Sequence, residues 1–261
     1  MTVAFVHGNP ETAAVWGPLL AELGRDDVVT LSPPGFGAPV PDGFGATADE
    51  YVAWLAEELE AIGGPVDVVG HDWGANHVLR LACERPELLR SWCADTAGVL
   101  APGYVWHEMS QVWQTPGAGE DAVAGQLAIG PDARTDLYVS LGMTPEVARE
   151  LAEAFDETMG RCILAVYRSA PREELARWRE HLPAASARPG LVIIPTEDTY
   201  TGGADRHRWA AERAGARTAV LEGLGHWWML EDPAVGAETL RRFWTTLSGR
   251  FGADLRPRGP G

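Results

Sequence analysis

Strand-like and helix-like stretches alternate along this chain, stop alternating, and then resume. "TVAFV" (Thr2 to Val6), "DVVTLS" (Asp27 to Ser32), "VDVVG" (Val66 to Gly70) and Ser91 to Asp95 are short β-rich runs. Helices are expected between them, around Trp16 to Leu23, from Thr47 to Ile62 and after Trp73. Val52, Leu55, Leu59 and Ile62 share one face of the second. The alternation returns with "LVIIP", a helix near Asp205 to Ala214, "TAVLEG" and a last helix to about Leu247. This order implies an α/β fold with a mostly parallel sheet covered by helices on both faces. In between, from about Tyr104 to Leu182, the pattern is helical throughout, with one long segment from Pro145 to about Ser169. The expected division is a core of residues 1–98 and 183–247 and a helical cap of residues 99–182. A cap inserted there belongs over the carboxyl ends of the strands, where sheets of this kind hold their ligands. Residues 248–261, rich in Gly, Pro and Arg, are expected to be a disordered tail.

Composition narrows the partners. The chain has 261 residues, of which 46% are hydrophobic, enough for one large core. A net charge of −16 speaks against nucleic acid or an anionic membrane as partner and leaves a small molecule. Cys83, Cys93 and Cys162 match no metal or redox spacing, so reduced thiols are expected, with no metal and no cofactor. "MTVAFVHG" carries no basic segment and no long apolar run, and nothing approaches a membrane span; a cytoplasmic protein is the expectation.

Three strand ends carry candidate chemistry. Gly70-His71-Asp72-Trp73-Gly74 has the form of a nucleophile elbow, in which glycines permit a cramped strand-to-helix turn that exposes the middle side chain. Taken alone, Asp72 reads equally as a helix N-cap. However, "LEGLGHWWMLEDP" puts His226 after the last strand, where a general base would hang, and "LVIIPTEDT" puts Asp198 where it could orient that base. The order nucleophile, acid, histidine is that of the α/β-hydrolases. Asp95, in "SWCADTAG", is the alternative acid.

The chain resembles the α/β-hydrolase superfamily, and within it the Asp-nucleophile branch of epoxide hydrolases and haloalkane dehalogenases. "HGNP" is similar to the oxyanion loop, "GHDWG" to the elbow and "GHWWMLEDP" to the histidine loop. The resemblance implies the α/β-hydrolase fold with a helical cap. His7 lies near the start of the chain, so the sheet is expected to be shortened to about six strands, with homodimerisation as one hypothesis for what covers its exposed edge. It also implies why an aspartate stands where a serine is common. A serine attacking saturated carbon leaves an ether, whereas a carboxylate leaves an ester that a water activated by His226 can hydrolyse. Backbone N–H groups of Asn9 and Trp73 are the natural oxyanion donors.

The leaving group divides the branch. "CILAVYRSAP" resembles the end of the epoxide hydrolase cap, whose proton-donating tyrosine is Tyr167 here; Glu11 in "HGNPE" and Trp227 point the same way. Tyr167 reads alternatively as a core aromatic. Asn9, paired with Trp73, matches the halide site of many dehalogenases, although Trp73 occurs in both families. Met109 falls where epoxide hydrolases carry a second cap tyrosine, with Tyr104, Trp106, His107 and Trp113 nearby. Trp73, in place of the arginine of fluoroacetate dehalogenases, argues against a small carboxylate substrate. The expectation is thus an epoxide hydrolase acting through an Asp72 ester on an apolar or aromatic substrate, with Trp106, Met109, Trp113 and Trp227 in the pocket. A haloalkane dehalogenase is the alternative, and a non-catalytic binding protein of the same fold the third reading.

Overall fold

The computed structural model describes residues 2–251. Among them, six strands form one parallel sheet: β1 (Val3–Val6), β2 (Val28–Leu31), β3 (Val66–Gly70), β4 (Leu89–Ala94), β5 (Gly190–Pro195) and β6 (Arg217–Leu221). Their order is β2-β1-β3-β4-β5-β6, the α/β-hydrolase arrangement with the shortened sheet expected. Every residue of β1, β3 and β5 is buried, while β2 and β6 at the edges are half exposed. That contrast explains why the inner strands read as continuous apolar runs: helices cover both of their faces.

The helices in chain order are α1 (Gly17–Leu23), α2 (Ala48–Ile62), α3 (Trp73–Glu84), α4 (Glu108–Gln114), α5 (Ala118–Ala128) and α6 (Gly130–Ser140). They continue with α7 (Pro145–Ala154), α8 (Glu157–Arg168), α9 (Arg172–His181), α10 (Ala204–Arg213), α11 (Trp228–Glu231) and α12 (Pro233–Phe251). Thr47 and Glu50 close a reciprocal cap at the start of α2, which sets its first turn. Alternate residues of β1 feed opposite faces: Ala4 and Val6 pack with α2 and α3, Val3 and Phe5 with α1 and α12. Helices α4–α9 all lie between β4 and β5 in the chain.

Two expectations about helices need correction. The segment from Pro145 to Ser169 is two helices, because Asp156 turns extended and caps α8 by accepting from the Met159 N–H at 2.8 Å. The last helix, α12, begins at Pro233, since proline cannot continue α11. It then runs to Phe251, so 248–251 belong to α12, while the rest of the expected tail lies outside the described residues. No helix among the described residues is long and apolar enough to cross a membrane.

Candidate active site

The loops after β1, β3, β4, β5 and β6 converge at one edge of the sheet. Asp72 sits between β3 and α3 with φ 51° and ψ −122°, a strained combination for a non-glycine residue. The surroundings hold it there. Its N–H donates to Asp95 Oδ1 at 3.1 Å, and its carbonyl accepts from Thr96 Oγ1 at 2.9 Å and Asn76 Nδ2 at 3.3 Å. Gly74 is obligatory, because a Cβ there would lie 2.2 Å from the Val6 carbonyl oxygen. The turn therefore does what a capping aspartate would not: its side chain makes no bond to the helix it precedes.

The Asp72 carboxylate points at the oxyanion loop and at His226. Asn9 N–H donates to Oδ1 at 2.9 Å, and His226 Nε2 stands 3.8 Å from Oδ2. His226 Nδ1 is 2.8 Å from Asp198 Oδ2, and the other Asp198 oxygen accepts the Tyr200 N–H at 2.7 Å. Asp198 is thus the partner of His226. Asp95, the alternative acid, is engaged elsewhere: its Oδ2 lies 2.6 Å from His71 Nδ1 and accepts the Trp228 indole N–H at 2.7 Å.

Beneath the elbow runs a buried charge network. His71, fully buried, spans Asp95 on one side and Glu11 Oε1 on the other at 3.1 Å. Glu11 Oε1 also accepts the Trp227 indole N–H at 2.7 Å, and Oε2 accepts the Gly8 N–H at 2.9 Å. Glu11 therefore ties the oxyanion loop, the elbow and the histidine loop together. Burial opposes charge on both partners, yet Asp95 and Glu11 hold the His71 imidazole well above its usual range. Burial raises Glu11 most, but the His71 charge and hydrogen bond, with the charges of His226 and His7, together outweigh it and hold Glu11 down to about 2.

The candidate reacting groups are shifted as well. Burial raises the Asp72 carboxyl, with Glu11 adding to the rise and His226 opposing it. Burial disfavours charge on His226, but the Asp198 carboxylate and its hydrogen bond, helped by Asp72, raise it above its ordinary value. For Asp198, burial is outweighed by the His226 charge and the bonds from His226 and Tyr200, and the carboxyl falls below its usual range. Glu11, His71 and His226 offer ligand atoms within 4.8 Å of one another. A cation there would have to displace a proton that His71 holds strongly and break its Nε2 bond to Glu11.

A cavity of about 250 Å³ opens over Asp72, walled by Asn9, Tyr167, His226, Met109, Trp113 and Trp227 among others. Its size and largely apolar wall suit one small organic molecule. Met109 stands half exposed. Trp106 corrects its expected place: it stacks on Trp73 at 5.7 Å, donates to the Ala170 carbonyl at 3.2 Å, and borders only a void of about 10 Å³ beside Asp72. Trp73, also expected at the leaving group, is 2% exposed and meets the Tyr167 ring edge-on at 5.2 Å. Burial pushes the Tyr167 hydroxyl well above the usual tyrosine range, with the Asp72 charge adding to it, so the phenol keeps its proton. His107 also lines the cavity, with Leu137, Tyr138 and Leu141 of α6 and its end, Met143 and Tyr200; of these, sequence patterns singled out only His107. Tyr200 follows Asp198 by two residues, a proximity that could have flagged it.

Residues 3–239 match the model of a family described as "Alpha/beta hydrolase family". No curated protein matches the chain in sequence. Solved structures do match in shape. A haloalkane dehalogenase loop variant from Bradyrhizobium elkanii has a TM-score of 0.74 at 17% identity, over 98% of this chain and 91% of that one. An enol-lactonase from Burkholderia xenovorans has 0.70 at 18%, over 93% and 90%. An E-2-(acetamidomethylene)succinate hydrolase has 0.63 at 17%, over 94% and 91%. At such identities the likeness is one of fold.

Proposed function

The chain belongs to the alpha/beta hydrolase family, and from that premise we propose that it is an epoxide hydrolase working through an ester on Asp72. The observation that carries this reading is that Asp72 and His226, the latter bonded to Asp198, face one cavity with Tyr167, a proton-bearing phenol. Asp72 Oδ1 is already held by the Asn9 N–H, which leaves Oδ2 to attack an epoxide carbon. As the new C–O bond forms, the ring C–O bond breaks and its oxygen takes the proton of Tyr167. The product is a hydroxyalkyl ester and a tyrosinate. His226, oriented by Asp198, then removes a proton from water, which adds to the ester carbonyl. The oxyanion grows on Oδ1, beside the Asn9 N–H. Collapse releases the diol and restores the Asp72 carboxylate, and the proton taken by His226 replaces the one Tyr167 gave up. A serine at the elbow could not complete this cycle. No part of it calls for a metal or an organic cofactor.

One observation favours a second reading, haloalkane dehalogenation: the Asn9 side chain borders the cavity and its Nδ2 is buried without a hydrogen-bond partner. A departing halide would be its acceptor. Against this, the Trp73 ring is packed in a three-ring cluster with Trp106 and Tyr167. One experiment separates the readings. His226→Gln should be alkylated but hydrolyse its ester slowly, so it is incubated with pooled epoxides and bromoalkanes and weighed intact. An adduct equal to a whole epoxide, mapped to Asp72, supports the first reading. An adduct equal to a bromoalkane less HBr supports the second, and failure with both classes would sink the ester mechanism.

A further inference from the structure

The wall of the cavity over Asp72 changes character as it nears the surface. Trp113, Tyr138, Met143 and Trp227 are buried in it, whereas Met109, Leu137 and Leu141, in the same wall, are 42%, 38% and 44% exposed. These three form its rim. We propose that the rim is a substrate subsite: the epoxide carries an uncharged alkyl chain that outgrows the cavity and leaves it across Met109, Leu137 and Leu141. The proposal rests on the epoxide reading and specifies its substrate as a long-chain, neutral terminal epoxide.

A single exposed leucine is ordinary, so the weight lies on where these residues stand. The Leu141 N–H donates to the Leu137 carbonyl at 3.1 Å, one helical turn back, so the two side chains share a face. Packing of α6 does not call for them. That helix packs on α7, and the residues it buries are Arg134, Thr135 and Tyr138. Both leucines instead continue the apolar wall outward from the candidate nucleophile, and Met109 of α4 does the same. Apolar surface left in water at the mouth of a cavity marks a place that a ligand covers. The unbranched Met109 side chain can adapt to a flexible chain lying over it. Charge decides how that chain ends. Glu108 and Asp136, which precede Met109 and Leu137, are both exposed, and no Lys or Arg among the described residues lines the cavity. A carboxylate at the end of the chain would meet like charge at the rim of a protein whose net charge is already −16. The occupant is therefore an alkyl tail and not a fatty-acid tail.

The test is the dependence of kcat/KM on chain length. Diol formation by the wild-type protein is measured with 1,2-epoxybutane, 1,2-epoxyhexane and 1,2-epoxyoctane, each below its solubility limit. A methylene taken fully out of water changes binding about fourfold, and one covered on a single side about twofold. The octane-to-butane ratio of kcat/KM should therefore be roughly fifteen or more. Leu137→Gln combined with Leu141→Gln keeps good helix formers and should cut that ratio roughly fivefold. The ratio is the readout because damage to folding or to the chemistry lowers both rates together. 7,8-Epoxyoctanoate should react more slowly than 1,2-epoxyoctane, and Glu108→Gln with Asp136→Asn should narrow that gap. Epoxides opened with no dependence on length, a ratio unmoved by the two glutamines, or a preference for the carboxylate overturns the proposal while the epoxide reading stands. A wild-type dimer in size exclusion that Leu137→Gln dissolves would show the rim covered by a second copy, and overturns it too. If none of the epoxides yields a diol, the epoxide reading falls and this inference falls with it.

Discussion

Glu11 is the residue whose removal tests the buried network most sharply. Glu11→Gln keeps the shape and leaves Oε1 to accept from Trp227 and His71, but sets an amide N–H₂ against the Gly8 N–H that Oε2 now accepts at 2.9 Å. It also leaves the His71 charge with Asp95 as its one counter-charge in that pair of bonds. The magnitude follows from linkage. A fully buried carboxyl that titrates at 4.5 when free and at about 2 here contributes about 3 kcal/mol to folding at neutral pH. For a chain of this size that corresponds to roughly 6–12 °C in Tm. Because the folded-state value is depressed, this stability is complete above 4.5 and is lost as pH falls toward about 2. The difference between wild type and Glu11→Gln should therefore shrink to about 1 kcal/mol at pH 3. Urea unfolding of both proteins at pH 7, 5 and 3 measures it. Equal midpoints at pH 7, or a gap that does not narrow on acidification, would refute the reasoning.

Two further outcomes are expected at the reacting groups. Asp72→Asn should abolish turnover yet equal or exceed wild-type Tm at pH 7, because burial of the Asp72 charge opposes folding and Asn tolerates a positive φ; a marked loss of Tm would contradict the account of that charge. Asp198→Asn should slow ester hydrolysis on the order of a hundredfold or more and move its pH limb down, since the main influence raising His226 is gone. Stopped-flow hydrolysis rates across pH check this, and an unmoved limb would assign the orienting role elsewhere.

The order of strands and helices was legible because burial on two faces writes continuous apolar runs, and because each glycine-bounded turn marks a strand end. Asp72, His226 and Asp198 were legible for the same reason: each sits just past a strand. The break between α7 and α8 was hidden, since apolar residues keep a helical rhythm through Phe155 and the interruption is made by one aspartate turning to cap. Trp106 and Trp113 have similar local contexts, and only packing decides that one backs Trp73 while the other faces the cavity. Helix α6 offers no apolar stripe, so nothing local predicted that Leu137 and Tyr138 would close the wall. Glu11 and His71 were visible only as family marks. Their bond joins residues 60 positions apart, and no local pattern encodes such a contact.

In the proposed cycle, the same charges let two half-reactions share one site without a switch. In the resting protein, Asp72 helps to raise His226, and His226 helps to keep Asp72 ionised. Each favours the charge on the other. Forming the ester erases the Asp72 charge, and with it one of the influences raising His226. The imidazole then gives up its proton more easily at the moment a base is needed, while Asp198 continues to fix its orientation. Hydrolysis returns the carboxylate and the imidazole is raised again. The coupling is purely local, set by the 3.8 Å between His226 Nε2 and Asp72 Oδ2. The pH limb for hydrolysis of the ester must therefore lie below the His226 titration of the resting enzyme. That ordering is measurable by comparing single-turnover rates with an NMR titration of the free protein.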